Sequence, residues 1–264
     1  MIRLGPCAAS PRCKLDREIL VGSMRGRRSI VVACCASLAR AHSISTPARA
    51  HTLSTPFSKH GIALVRDFLP ADDFSTVVED VRKLRSSLKP EKNSMAVGRY
   101  GRMLDNRSDA HSCLASDATT KRINRIAGMP SPPLITSEYP MELRVYRVGA
   151  GMDWHVDDCL FNLPQCEVVL VLENTSDSFT EFIDADGVLH SEWTPPNSAL
   201  LVRAGGAKHR VQPLKRGERT IVKLVYKAEG SSPVAEGWNH LDSLPGLRAK
   251  QRPGRKERHS TRRR

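Results

Sequence analysis

Residues 145–158 read VYRVGAGMDWHVDD, and residues 209–226 read HRVQPLKRGERTIVKLVY. In the first stretch a strand gives way to the turn Gly149-Ala150-Gly151, and a second strand is predicted over 153–158. His155 and Asp157 stand two apart on that strand, so both side chains leave from the same face. An imidazole and a carboxylate held that way can take adjacent positions around a metal ion. A third ligand from elsewhere completes a 2-His-1-carboxylate triad with coordination positions left open. His209, 54 residues on and in a predicted strand over 208–211, is the candidate third ligand. The His-x-Asp spacing alone is a weak signal, since a surface pair falls at it by chance in many proteins. The joint pattern is stronger. Arg219 stands ten residues after His209, across a turn supplied by Gly217 and at the head of a predicted strand over 219–227. A buried guanidinium there can form a bidentate pair with a carboxylate, whereas alone it would be an ordinary strand-end charge. Tyr146 stands nine residues before His155, across the glycine turn. Its hydroxyl can bond the same carboxylate-bearing molecule or simply pack.

Outward from these stretches, short strands are predicted over 141–148, 167–172, 179–183 and 199–202. The first alternates imperfectly. Leu143 and Val145 share a face that Arg147 continues, while Glu142, Arg144 and Tyr146 share the other, so the pattern does not say which face is buried. Upstream, Gly61 opens a strand over 62–65. Pro70-Ala71-Asp72-Asp73 is a helix start, with acidic residues at the positive end of the helix dipole. Phe74, Val77, Val78, Val81 and Leu84 recur at helical spacing, predicting an amphipathic helix over about 72–88 that Lys89-Pro90 stops. Residues 90–118 read as a long polar loop, and a shorter helix is predicted over 119–127. Helices followed by many short strands point to an α+β fold whose strands form a sandwich or barrel. The expected organisation is an amino-terminal segment over 1–58, one domain over 61–228, and a linker with a basic tail over 229–264.

The formal charge of +13 points to a nucleic-acid binder until it is located. Residues 1–60 carry ten Lys/Arg against Asp16 and Glu18, a net of +8, and residues 248–264 carry nine against Glu257, again +8. Taking both from +13 leaves −3 for residues 61–247, so the body is mildly acidic. The basic tail can hold RNA, DNA or an acidic membrane surface through screened attraction, or can simply be a solvated end. Seven cysteines, with no Cys-x-x-Cys pair, argue against a disulfide framework and a thiolate zinc site; Cys113, Cys159 and Cys166 are expected to be free thiols. The longest early apolar run, 30–39, is too short to span a bilayer, which takes about 20 residues. It follows the basic Arg25-Gly26-Arg27-Arg28, and Met24 can serve as an alternative start. The expectation is a removable segment addressed to plastid, mitochondrion or secretory pathway, with a cytoplasmic or nuclear location as the alternative.

The two opening stretches, together with NSALLVRAGGAKHRV (197–211) and GIALVRDFLPADDF (61–74), resemble the prolyl 4-hydroxylase-like branch of the 2-oxoglutarate/iron(II)-dependent dioxygenases. The likeness covers most of 61–227 and is strongest in the second half. It implies a double-stranded β-helix (jelly-roll, cupin-like) with flanking amino-terminal helices, and iron(II) bound by His155, Asp157 and His209. It implies that Arg219 binds the far carboxylate of 2-oxoglutarate and that Tyr146 helps. The implied activity is an oxidoreductase hydroxylating a C–H bond, with prolyl residues as the family-level substrate, dioxygen consumed, succinate and CO2 released, and ascorbate as reductant. A free amino acid or other small molecule is the alternative substrate. Asp157 favours hydroxylation over halogenation, because halogenating relatives lack this carboxylate. There are departures. Collagen-type members usually have Lys where this chain has Arg219, and their Gly-Gly-Glu-Thr stretch is replaced by Ser176-Asp177-Ser178-Phe179-Thr180-Glu181-Phe182.

Lys223 shares the face of Arg219 by alternation; a side chain snorkelling from the exposed end of its strand is the expectation, with entry into the barrel to touch cosubstrate or substrate as the alternative. His111, His190 and His240 have no partner at ligand spacing, and Asp158 reads as a supporting or surface carboxylate. Two rivals remain. A nucleic-acid demethylase of the AlkB type would place its cosubstrate arginine further from the distal histidine and repeat an arginine six residues later, where this chain has Val225. A cupin-like barrel that binds metal or ligand without turnover would not need Arg219.

Overall fold

The structure, a computed structural model, describes residues 56–91 and 96–234. The expected targeting segment through residue 55, the tail after residue 234 and His240 lie outside the described residues. No helix among the described residues is long and apolar enough to cross a membrane.

The chain opens with one helical turn, α1 (Phe57–His60), ended by Gly61 at φ 68° and followed by β1 (Ile62–Val65). In α2 (Ala71–Arg82) the first turn carries Asp72 and Asp73, and Val77, Val78 and Val81 form the buried stripe. This helix stops six residues before the expected end. Arg85–Ser87 tighten into a 3-10 turn, where the Ser87 hydroxyl donates to the Leu84 carbonyl at 2.6 Å in place of helical continuation. The expected loop over 90–118 is partly regular, holding β2 (Lys89–Pro90), β3 (Arg99–Met103) and α3 (Asp109–Leu114). The Ser108 hydroxyl caps α3 by accepting from the His111 N–H, and Ser116 caps α4 (Asp117–Ile126) by accepting from Thr119. Such caps contribute about 1 kcal/mol each.

Nine strands follow: β4 (Leu134–Thr136), β5 (Glu142–Tyr146), β6 (Met152–His155), β7 (Gln165–Asn174), β8 (Thr180–Ile183), β9 (Leu189–Glu192), β10 (Ala199–Arg203), β11 (His209–Val211) and β12 (Arg219–Ala228). The larger sheet runs β1-β10-β7-β12-β5-β3-β2, with β4 beside the far end of β12, and the smaller runs β6-β11-β8-β9. Gly217 turns β11 towards β12 at φ 71°, and a Cβ there would lie 2.2 Å from the Thr175 carbonyl oxygen, so only glycine fits.

The outer face of the larger sheet, including Leu143, Val168, Leu201, Val222 and Leu224, packs under Val77, Val81, Leu114 and Ile123 of the helices. On the inner face, Ile62, Leu64, Leu200 and Val202 meet Phe182 and Ala207 from the side of the smaller sheet. At about 1.5–3 kcal/mol for each fully buried Val or Leu, both faces of the larger sheet are strongly fixed. The result is an α+β double-stranded β-helix of three layers: helices, large sheet, small sheet. The imperfect alternation of β5 now has a cause. Leu143 faces the helices, while Tyr146 and, by alternation, Glu142 and Arg144 face the space between the sheets, and all are buried.

Candidate metal centre

His155 is the last residue of β6 and His209 the first of β11, and the two are direct cross-strand partners. Their ring centroids are 4.1 Å apart. Asp157 lies beyond the strand, because β6 ends at His155; strand alternation therefore does not place it. The loop does. The Asp157 carbonyl accepts from the Gly205 N–H at 2.9 Å. The buried Gln165 side chain donates to the Asp158 carbonyl at 3.1 Å and accepts from the Leu160 and Phe161 N–H groups. So tethered, Asp157 puts Oδ1 3.6 Å from His155 Nε2 and Oδ2 3.7 Å from His209 Nε2. One ligand atom from each of the three residues lies within 4.8 Å of the others.

The tautomers suit metal binding. His155 Nδ1 lies 2.8 Å from the Asp153 carbonyl and His209 Nδ1 lies 3.1 Å from the Ala207 carbonyl. A carbonyl only accepts, so each Nδ1 carries the hydrogen and each Nε2 turns a lone pair toward Asp157. Burial pushes the His209 pKa down, favouring the neutral ligand form. Burial opposes ionisation of Asp157, but its contact with His155 and the charges of Lys223, His209 and His155 outweigh that and hold it well below the usual carboxylate range. The three donors fit a divalent metal of the imidazole–carboxylate type.

Lys223 corrects an expectation. It does not snorkel but is buried inside the barrel and ion-paired to Glu167. Burial disfavours its charge, yet Glu167 and Asp157 push its pKa up. Burial and the Asp157 charge push the Glu167 carboxyl up to about 8, with Lys223 opposing.

Arg219 is 1% exposed and pairs in register with Tyr146 on β5. Its Nη1 donates to the Thr180 hydroxyl at 2.8 Å, and its Nε is buried without a hydrogen-bond partner. Among the described residues no carboxylate forms an ion pair with it. The Tyr146 hydroxyl accepts from Arg99 at 3.0 Å, which leaves the phenolic hydrogen to donate elsewhere. A buried guanidinium without a carboxylate partner among the described residues and a phenol thus stand side by side on neighbouring strands, an arrangement able to accept an anion.

No family model matches the sequence, and no curated protein matches it either. Solved structures do match. A prolyl-4-hydroxylase from Pseudomonas putida aligns at TM-score 0.54 and 20% identity, over 66% of this chain and 96% of that one. A prolyl hydroxylase from Trichoplax adhaerens, in complex with a hypoxia inducible factor oxygen degradation domain peptide fragment, aligns at TM-score 0.54 and 17% identity, over 66% and 86%. The non-heme alpha ketoglutarate dependent epimerase SnoN from nogalamycin biosynthesis aligns at TM-score 0.59 and 14% identity, over 74% and 86%. The fold is that of the 2-oxoglutarate/iron(II) oxygenases. On this oxygenase fold the triad stands where β6 ends beside the start of β11, with Arg219 on the strand that follows β11.

Four participants had no clear signal in the sequence. Thr180 lies in a predicted strand whose sequence departs from the family pattern, although its alternation with Phe182 on β8 points it inward. Arg99 sits in what read as a loop. Glu167 occupies a position in an otherwise apolar strand, and Gln165 acts through backbone contacts that no spacing reveals. His111 is a half-buried residue of α3 whose pKa is lowered by burial. Asp158 is exposed. His190 does have a partner, contrary to expectation: its Nε2 lies 2.9 Å from Asp184 Oδ2.

Proposed function

We propose that this chain is an iron(II)- and 2-oxoglutarate-dependent dioxygenase that hydroxylates a C–H bond. The observation that carries the reading is Arg219, a buried cation with no carboxylate partner among the described residues, on the same oxygenase fold that brings His155, Asp157 and His209 together. Bound iron(II) with 2-oxoglutarate and dioxygen supplies oxidative decarboxylation, releasing succinate and CO2 and delivering one oxygen atom to the substrate. The chain's own residues hold and orient. His155, Asp157 and His209 would hold the iron. Arg219 pairs with the far carboxylate of 2-oxoglutarate. Thr180 fixes the guanidinium, and Tyr146 donates its hydroxyl hydrogen to the same carboxylate. Ascorbate is the proposed reductant.

Prolyl residues of a protein are the proposed substrate, supported by the two prolyl hydroxylases among the neighbours; SnoN favours a small molecule as the second reading. The test is succinate formation from 2-oxoglutarate with iron(II) and ascorbate, comparing wild type with His155→Ala and Asp157→Ala. Iron-dependent succinate from the wild type and a loss of at least about 100-fold in each variant is the expected outcome. No iron-dependent turnover at high protein concentration, even without substrate, would leave a binding barrel instead. Stimulation by a proline-rich peptide, and not by free amino acids, would select the prolyl reading.

A further inference from the structure

A second cluster of metal-ligating side chains lies away from the triad, where α1 meets the β8–β9 hairpin. His60, the last residue of α1, puts Nδ1 3.6 Å from Asp184 Oδ2, and His190 on β9 puts Nε2 2.9 Å from the same oxygen. Asp184 is oriented from behind: its Oδ1 accepts the Asp186 and Val188 N–H groups, each at 2.9 Å, leaving Oδ2 between the two imidazoles. The His190 ring stacks on Phe182 with centroids 4.7 Å apart, which sets its plane. Asp186 completes the group; one ligand atom each from His60, Asp184 and Asp186 lies within 4.8 Å of the others.

The internal hydrogen bonds do not account for this cluster. The His60 side chain is 6% exposed and Asp184 5%, yet His60 Nδ1 is buried with no hydrogen-bond partner. Leaving such a nitrogen buried and unpaired is unfavourable, and a bound metal ion removes that cost. Asp186 is half-exposed and bonded through one oxygen to Lys59, so it gives the site an entry from solvent while its second oxygen stays available. Two imidazole nitrogens with carboxylate oxygens make a donor set for zinc(II), not for calcium or magnesium, which take oxygen ligands. With bonds of about 2.0–2.1 Å, tetrahedral donors sit about 3.3 Å apart, between the two separations measured from Asp184 Oδ2.

We propose that His60, Asp184, Asp186 and His190 form a structural zinc(II) site that pins α1 to the β8–β9 hairpin. The site steadies the strand that carries Thr180 and pairs with β11, and so supports the catalytic barrel from outside. It stands apart from the dioxygenase reading, and its test needs no turnover. Full-length protein carrying His155→Ala and His209→Ala, so that the triad cannot hold metal, is stripped with chelator and titrated calorimetrically with zinc(II). One bound equivalent is expected, lost on adding His60→Ala or His190→Ala and weakened about tenfold by Asp186→Asn. The same drop of one equivalent is expected in the wild-type background. Asp186→Asn changes a half-exposed side chain, and circular dichroism of each stripped variant separates loss of the site from loss of folding. With cobalt(II) as probe, a spectrum of nitrogen and oxygen ligands without thiolate charge transfer is expected. No equivalent in the triad-deficient protein, an equivalent that survives both His60→Ala and His190→Ala, or a thiolate band would overturn the proposal.

Discussion

Arg144 and Arg219 are buried guanidiniums on adjacent strands of one sheet, facing the same interior, and their surroundings are opposite. Arg144 is ion-paired to Glu142 and to Glu91, and Glu91 also pairs with Arg99 at 2.6 Å. Tyr139 adds a hydrogen bond to Glu142 at 3.0 Å. Burial works against the charge of Arg144, but Glu142 and Glu91 win and push its pKa up. Arg219 has a threonine and a tyrosine nearby, and burial pushes its pKa down. One half of the barrel interior is electrostatically closed and holds the sheet together. In the other half Arg219 has no carboxylate partner among the described residues, as its proposed pairing with 2-oxoglutarate requires.

Neutralising one charge in each half separates the two. Arg144→Met should cost about 3–5 kcal/mol of stability, read by urea denaturation, because Glu142 and Glu91 lose their cation while remaining buried. Arg219→Met should leave stability unchanged or raise it; an equal loss in both variants would erase the distinction. Lys223→Met should cost about 3 kcal/mol above pH 8, where Glu167 would ionise and then stand buried near Asp157 without its cation. The pH dependence has a definite sign. The folded-state pKa of Glu167 is raised, so its contribution is fully present below the unfolded value of 4.5 and is lost as pH rises through about 8. The Lys223→Met defect should therefore be deeper at pH 9 than at pH 6, and a defect independent of pH would contradict the pairing.

Smaller changes sharpen the open half. Arg219→Lys keeps the charge but loses the planar fork, so the KM for 2-oxoglutarate should rise about 10- to 100-fold with iron binding intact. Equal loss of both would contradict the role of Arg219. Thr180→Val removes one hydrogen bond to the guanidinium and should raise the same KM about fivefold, close to 1 kcal/mol. The smallest effect concerns thiols. Cys159 is exposed, Cys166 is buried, and burial with Asp73 nearby pushes the Cys113 thiol up to about 11. Peptide mapping after brief alkylation at pH 8 should find Cys159 labelled well ahead of Cys113 and Cys166.

The closed half explains what could not be read from the sequence. Apolar alternation found the strands that face the helices, and glycine turns found their ends. β3 was missed because its inward face offers Arg99 and Gly101 where a core face is expected to be apolar, and β5 was ambiguous because Glu142 and Arg144 are as buried as Leu143. A polar interior defeats a rule built on polar residues facing water. The open half was legible because metal ligation restricts residue type and spacing together. His155, His209 and Arg219 come together through one cross-strand pair and one glycine turn, which spacing can report. Asp157 meets the two histidines because a tethered loop, and not the expected strand, brings it in.

The central claim is that the unpaired charge of Arg219 is reserved for the cosubstrate. It is tested most directly by calorimetric titration of 2-oxoglutarate into protein loaded with manganese(II), which holds the metal position without turnover. The account expects saturable 1:1 binding in the wild type, weakened at least about 100-fold in Arg219→Met, with Arg144→Lys binding as the wild type does. Binding of 2-oxoglutarate that is unchanged in Arg219→Met would contradict it.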